Sequence, residues 1–208
     1  MQPDFFIPLA EANGIIGLIT QQVFDLVARD AGTFLSRHPD FHIAVNLSAA
    51  DMHSPTLRGQ LDRLVERTGA SSRSIIVEIT ERSLLNADLA RDVTHDIRAL
   101  GYDIAIDDFG TGYSSLSYLA TLEVDYLKID KIFIDAIGTE APTSYVVQHI
   151  IEMAKSLKLR MIAEGVETEA QADFLRQRGV EFAQGWLFGK PMPFAELERR
   201  MAEPAIEN

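Results

Sequence analysis

Six short apolar runs in this chain each carry a polar side chain late in the run. Asn46 lies in 43–47, Glu78 in 75–79, Asp107 ends 103–107 with Asp108 next to it, and Lys128 lies in 125–129. Glu164 ends the run 160–164, and Gln184 ends a weaker run, 181–184. Taken singly, each has an ordinary explanation as a helix cap, a solvated loop residue or an ion-pair partner. Asn46 can cap the turn after it, Lys128 can pair with a nearby acid, and Gln184 can satisfy backbone at the bend near Gly185. Glu78 and Glu164 are harder to dismiss, because acids in apolar runs need partners when buried. The same relative position in run after run argues for one site. Four carboxylates and one Asn form an all-oxygen donor set, which suits Mg²⁺ or Mn²⁺ rather than zinc. The adjacent acids Asp107 and Asp108 can each face a different ion, as two-metal phosphoryl chemistry requires. Lys128 can hold an attacking water or neutralise charge developing on a phosphate.

The elements between these runs are helical. Leu89, Val93, Ile97 and Leu100 form a stripe at helical spacing, with Gly101 as the stop. Ser54-Pro55 is expected to open another helix, with Leu57, Leu61, Leu64 and Val65 on its buried side. Thr168 and Gln171 have capping-box spacing, and Gly179 ends that helix. Val147, Ile150, Ile151, Ala154 and Leu157 mark a fourth, and a long helix over 15–35 precedes the first strand. Short strands apolar on both faces, alternating with helices, predict a parallel α/β sheet. An open doubly wound sheet would use two or three strand ends at one crevice. A (β/α) barrel gathers all of them at one mouth, so the barrel is the expected fold. Such a barrel takes eight strands, and this chain shows about six.

Composition narrows the function further. Of 208 residues, 19 are Lys or Arg and 31 are Asp or Glu, a net charge of −12 that argues against a duplex nucleic-acid partner. The absence of cysteine excludes disulfides and thiolate chemistry. No apolar run approaches the roughly 20 residues of a membrane span, and the first residues have no signal-peptide pattern. The expectation is a cytoplasmic domain without membrane contact from this segment. The five histidines are scattered. Gly110-Thr-Gly112 lacks the third glycine of a dinucleotide loop and reads as a mobile loop beside the Asp pair. One domain over 1–202 is expected, with 203–208 as a tail.

Seven motifs in order then name a family: Phe6-Ile-Pro-Leu-Ala-Glu11, Val45-Asn-Leu-Ser48, Glu78-Ile-Thr-Glu81, the run 106–116 beginning Ile-Asp-Asp-Phe-Gly-Thr-Gly, Leu127-Lys-Ile-Asp130, Ala163-Glu-Gly-Val-Glu167 and Gln184-Gly-Trp-Leu-Phe188. Together they resemble the EAL-domain family of cyclic di-GMP phosphodiesterases. The resemblance implies a modified TIM-type (β/α) barrel and hydrolysis of cyclic di-GMP to linear pGpG with two Mg²⁺ or Mn²⁺ ions. It also implies metal ligation by Asn46, Glu78, Asp107, Asp108 and Glu164, with Lys128 positioning the attacking water. Glu164 stands between ligand and proton acceptor. Glu81 resembles the acid that holds the Asp-Phe-Gly-Thr-Gly loop, Glu167 and Gln184 are similar to supporting or substrate-side groups, and Phe188, Pro191 and Pro193 fall where the family contacts a guanine. A homodimer through the 110–115 loop region is implied as well. The alternative is a catalytically silent cyclic di-GMP receptor or a protein-interaction module. The family takes its name from an upstream Glu-Ala-Leu strand whose glutamate is a metal ligand, and only Glu11-Ala12 is similar to it here. Two strands and one ligand are therefore expected ahead of Met1, with hydrolysis impaired in the chain as it stands.

Overall fold

The computed structural model of the chain describes residues 3–110, 119–141 and 143–202. Six strands run in parallel in the order of the chain: β1 Ile43–Leu47, β2 Ile75–Thr80, β3 Asp103–Phe109, β4 Tyr126–Ile129, β5 Arg160–Ala163 and β6 Phe182–Ala183. Each pairs with the next, so among the described residues β1 and β6 have one neighbour apiece and each leaves an edge free. The expected six parallel strands hold. The helices are α1 Pro3–Ala12, α2 Ile16–Arg37, α3 Ala49–Met52, α4 Leu57–Thr68, α5 Ala87–Ala99, α6 Lys131–Ile134, α7 Thr143–Ser156, α8 Glu169–Gln177 and α9 Phe194–Ala202. No helix among the described residues is long and apolar enough to cross a membrane.

Strand alternation divides the side chains between two surfaces. Val45, Leu47, Ile75, Val77, Ile79, Ile104, Ile106, Leu127 and Ile129 join Phe24, Leu61, Ile97 and Ile151 of the helices in one large core. Burying each such side chain contributes about 1.5–3 kcal/mol. Ile76, Ala105 and Tyr126, with Ile162, form a separate small cluster on the other surface of the sheet. At the N-terminal ends of the strands, Arg98 holds Asp125 at 2.7 Å and Arg160 holds Asp103 at 3.0 Å. Asp125 also accepts from the Ile104 amide at 2.9 Å, which ties the loop before β4 to β3.

Local chemistry sets most helix ends. The Thr168 and Gln171 capping box is made, and Gly101 and Gly179 adopt the positive φ of helix stops. The helix expected at Ser54-Pro55 instead starts at Leu57. Ser54 bonds the Thr56 hydroxyl at 2.8 Å and the Thr56 amide at 3.3 Å, a local turn that competes with helix formation. The run at 181–184 yields only a two-residue strand. Glu181 turns its carboxylate to the Met161 amide at 2.9 Å, and Gln184 leaves the strand for the site.

Candidate active site

The surface that carries the Ile76, Ala105 and Tyr126 cluster also carries the chemistry. Two residues further along their strands stand Glu78, Asp107 and Lys128. The Lys128 ammonium lies 2.8 Å from Glu78, 3.0 Å from Asp107 and 2.7 Å from Glu164. Its side chain is 4% exposed. Burial by itself would push the ammonium down, but the three carboxylates more than offset this and hold it above its ordinary range. Glu78 and Glu164 are pushed up, chiefly by burial, with Lys128 pulling the other way. Three acids around one ammonium leave excess negative charge that further cations would neutralise.

Adjacent residues of a strand normally face opposite sides, which would send Asp107 and Asp108 apart. The β3–β4 register shifts between Ile106 and Phe109, and Asp108 takes a left-handed φ of 55°. This irregularity brings carboxylate oxygens of Asp107, Asp108 and Glu164 within 4.8 Å of one another. Burial, then Asp107 and Asp130, raise the Asp108 carboxyl above its usual range. An all-oxygen cluster of this kind fits a hard divalent cation. Asn46, on edge strand β1, pairs in register with Glu78 and hydrogen-bonds its carboxylate.

The other residues expected from the sequence fall around this centre. Glu81 is buried and accepts from the Gly110 amide at 3.0 Å, so it anchors the segment that follows Asp108. Gly110 sits at φ +92, and a Cβ there would lie 2.9 Å from the Phe133 ring. The loop from 111 to 115 lies outside the described residues. Gln184 reaches across from the end of β6 to donate to Glu164 at 2.5 Å. Glu167 faces Lys131 of α6 at 2.8 Å, which ties the loop after β5 to the helix after β4. Phe188, Pro191 and Pro193 are exposed on the segment after β6, where the Phe188 carbonyl accepts from Arg200 of α9 at 2.8 Å.

Some contributors were missed in the sequence. Asp130 caps α6 by accepting from the Ile132 amide at 2.7 Å, and its charge acts on Asp108. Its place directly after a strand, before a helix, is an N-cap signal. Lys131 was passed over although its stem fills the space beside Gly165, where a Cβ would fall 2.5 Å from Lys131 Cγ. Beside the site runs a groove of about 1030 Å³, lined by Phe6, Ile7 and Glu11 of α1, Ile19 of α2, Ala44 of β1 and, at its polar end, Asn46 and Asp108.

Comparison with known proteins places this geometry. The chain is 43% identical over 199 residues to the probable cyclic di-GMP phosphodiesterase PdeB of Escherichia coli, covering 96% of this chain and 38% of that protein. It is 36% identical over 193 residues to the cyclic di-GMP phosphodiesterase PdeL of Escherichia coli, covering 92% of this chain and 53% of that protein. The chain thus spans only part of the length of the curated relatives it matches. The solved PaMucR phosphodiesterase in complex with c-di-GMP superposes with a TM-score of 0.89 at 39% identity, over 95% of this chain and 81% of that one. The EAL enzyme Bd1971 with cAMP and cyclic-di-GMP bound gives 0.91 at 30% identity, over 97% of this chain and 56% of that one. Its neighbours in structure are TIM-type barrels, and the six parallel strands are a portion of that architecture. With the EAL domain model matching residues 1–191, the chain belongs to the EAL domain family.

Proposed function

We propose that this chain is a phosphodiesterase domain that hydrolyses one ester bond of cyclic di-GMP, giving linear pGpG, with Mg²⁺ or Mn²⁺ as cofactor. The observation that carries the reading is the buried Lys128 ammonium, held by Glu78, Asp107 and Glu164 beside the convergence of Asp107, Asp108 and Glu164. Divalent ions at such a site neutralise phosphate charge and make water a better nucleophile. Asn46, Glu78, Asp107, Asp108 and Glu164 would hold them. In the reaction a water oxygen bonds phosphorus, one P–O ester bond breaks, and the departing ribose oxygen takes a proton. Lys128 holds the attacking water on the line of approach. Glu164, raised by burial and steered by Gln184, is placed to receive the proton that water loses. Phe188, Pro191 and Pro193 supply a surface for a guanine, and Glu167 supports the loop after Glu164 through Lys131. Two copies meeting through the 110–115 loop region belong to the same reading.

A second reading, a receptor that binds cyclic di-GMP without cleaving it, is favoured by one observation. On the β1 side the site opens onto the groove, where Asn46 is the donor the strand supplies. Incubation of the chain with cyclic di-GMP and Mg²⁺ or Mn²⁺, followed by chromatography for pGpG, separates the two. Product supports the phosphodiesterase. Binding by calorimetry in Ca²⁺ without product in Mg²⁺ or Mn²⁺ supports the receptor, and the absence of both binding and product overturns both readings.

A further inference from the structure

Asp51 is 3% exposed, and among the described residues no Lys, Arg or His pairs with it. A buried carboxylate with no cation is costly unless hydrogen bonds hold it. Three donors converge on its Oδ2 atom: the Ser48 amide at 2.9 Å, the Ser48 hydroxyl at 2.7 Å and the Thr20 hydroxyl at 2.8 Å. The Ser48 amide bond belongs to the capping box of the four-residue helix α3, which the Asp51 amide completes by donating to the Ser48 hydroxyl, and the Ser48 hydroxyl bond is local to the same turn. The Thr20 bond is not local, since it comes from the second turn of α2, 31 residues earlier in the chain.

What this third bond holds is the end of an edge strand. Among the described residues β1 pairs only with β2, so no described ladder grips its outer side. Ser48 is the first residue beyond β1 and stands two residues after Asn46, whose partner across the ladder is Glu78. Thr20, Asn46 and Ser48 also line the same groove. We infer that the Thr20–Asp51–Ser48 bridge is a positioning device: it fixes the free end of β1 against α2 and so sets Asn46 in place toward the metal centre. The inference rests on the reading of Asn46 as a metal ligand. It makes α2, a helix that contributes no ligand, a control on cation affinity.

The test is a double-mutant cycle on Mn²⁺ affinity, read from the free-ion paramagnetic resonance signal of the 208-residue chain without substrate. Thr20→Val keeps the side-chain shape and removes the hydroxyl, and Thr20→Ser restores it. Supporting groups one step behind a ligand typically change metal affinity by about 10–100-fold. Thr20→Val is therefore expected to weaken Mn²⁺ binding about tenfold, with Thr20→Ser close to the parent. Placed in an Asn46→Ala background, Thr20→Val should cost nothing further, because its effect passes through Asn46. A general loss of packing would weaken both backgrounds alike. Equal weakening in both, or none in the parent background, overturns the inference. If Asn46→Ala alone leaves Mn²⁺ affinity unchanged, or the parent binds no Mn²⁺, the ligand reading fails first and the inference falls with it. Should Thr20→Val fail to fold by circular dichroism, Ser48→Ala, which removes another donor to the same oxygen, is read through the same cycle.

Discussion

Lys128 and Glu164 meet at 2.7 Å although neither is in register with the other: on the β4–β5 ladder Lys128 stands opposite Ile162, and Glu164 lies just past the last paired residue. The contact spans the ladder diagonally and turns Glu164 inward at the point where the sheet ends. The cation that Glu164 meets is thus also the group that gathers Glu78 and Asp107.

Replacing Lys128 with Met should therefore do two separable things. Without cations in solution, the buried Glu78 and the half-buried Asp107 and Glu164 lose their counter-charge, a change that costs about 3–5 kcal/mol when one partner of a buried pair is removed. With Mg²⁺ present, turnover should fall by about 10²–10⁴-fold while substrate affinity in Ca²⁺ changes far less, because a group at the attacking water acts mainly on the transition state. Urea melts and calorimetry check the two parts. An affinity loss as large as the turnover loss would make Lys128 a plain substrate anchor.

Asp107→Asn and Glu164→Gln should each remove activity by at least about a hundredfold with the fold retained, since both carboxylates belong to the convergent cluster. Turnover within tenfold of the parent, measured as pGpG formed, would take that residue out of the metal site.

The strand ends were legible in the sequence because a polar residue recurs late in run after run, and a parallel barrel brings all such ends to one mouth. That logic found Asn46, Glu78, Lys128, Glu164 and Gln184, all of which contact one another directly or through Lys128. It could not foresee the bulge at Asp107-Asp108, since period-two reasoning sends neighbours to opposite faces and nothing in the sequence marks the left-handed Asp108. It also missed α1, whose interior Pro8 argues against a helix on propensity alone. Asp51 was visible in principle, as Ser48-Ala-Ala-Asp51 has the spacing of a cap, but its bond to Thr20 is a tertiary contact beyond any local pattern. The loop expected over 110–115 falls, after Gly110, outside the described residues.

Cation binding should strengthen with pH. Glu78 and Glu164 are raised above the ordinary 4.5 by burial, so they keep protons that a metal must displace. For folding without cations the sign is adverse: a carboxylate with a raised pKa supports the folded state at low pH and withdraws that support as pH climbs from 4.5 through its folded value. Lys128, raised from 10.5, contributes throughout this window and loses its contribution only in alkali. Mn²⁺ titrations carried upward from pH 4.5 should show affinity rising with proton release. A flat profile would mean that neither glutamate binds the ion.

Gly185→Ala should be poorly tolerated. A Cβ there would fall 2.1 Å from the Val166 carbonyl oxygen and 2.3 Å from its nitrogen, backbone atoms that cannot swing aside. The expected cost is about 1–3 kcal/mol in urea unfolding, with activity lowered as Gln184 is drawn off Glu164. Parent-like stability and kinetics would show that the β6 end has room to move.

Glu81→Ala removes the acceptor of the Gly110 amide without touching a carboxylate of the convergent cluster. Turnover should drop about tenfold or more, as for other groups that support a site from behind, with Mn²⁺ affinity falling less than in Asp107→Asn. Kinetics indistinguishable from the parent would leave the Glu81 bond as a local fastening only.

The free edge of β1 has a thermodynamic consequence. Asn46 and Asp108 stand at the polar end of the groove beside that edge, so water reaches the acidic cluster from the side and damps the repulsion among its carboxylates. Any strand laid along β1 would expel that water and sharpen the repulsion, which bound cations would then relieve. Edge closure and ion loading are therefore reciprocal equilibria: whatever factor one contributes to the other is returned in full. The shift in a cation titration when such a strand is added therefore equals the factor by which bound ions tighten the strand's hold on the sheet.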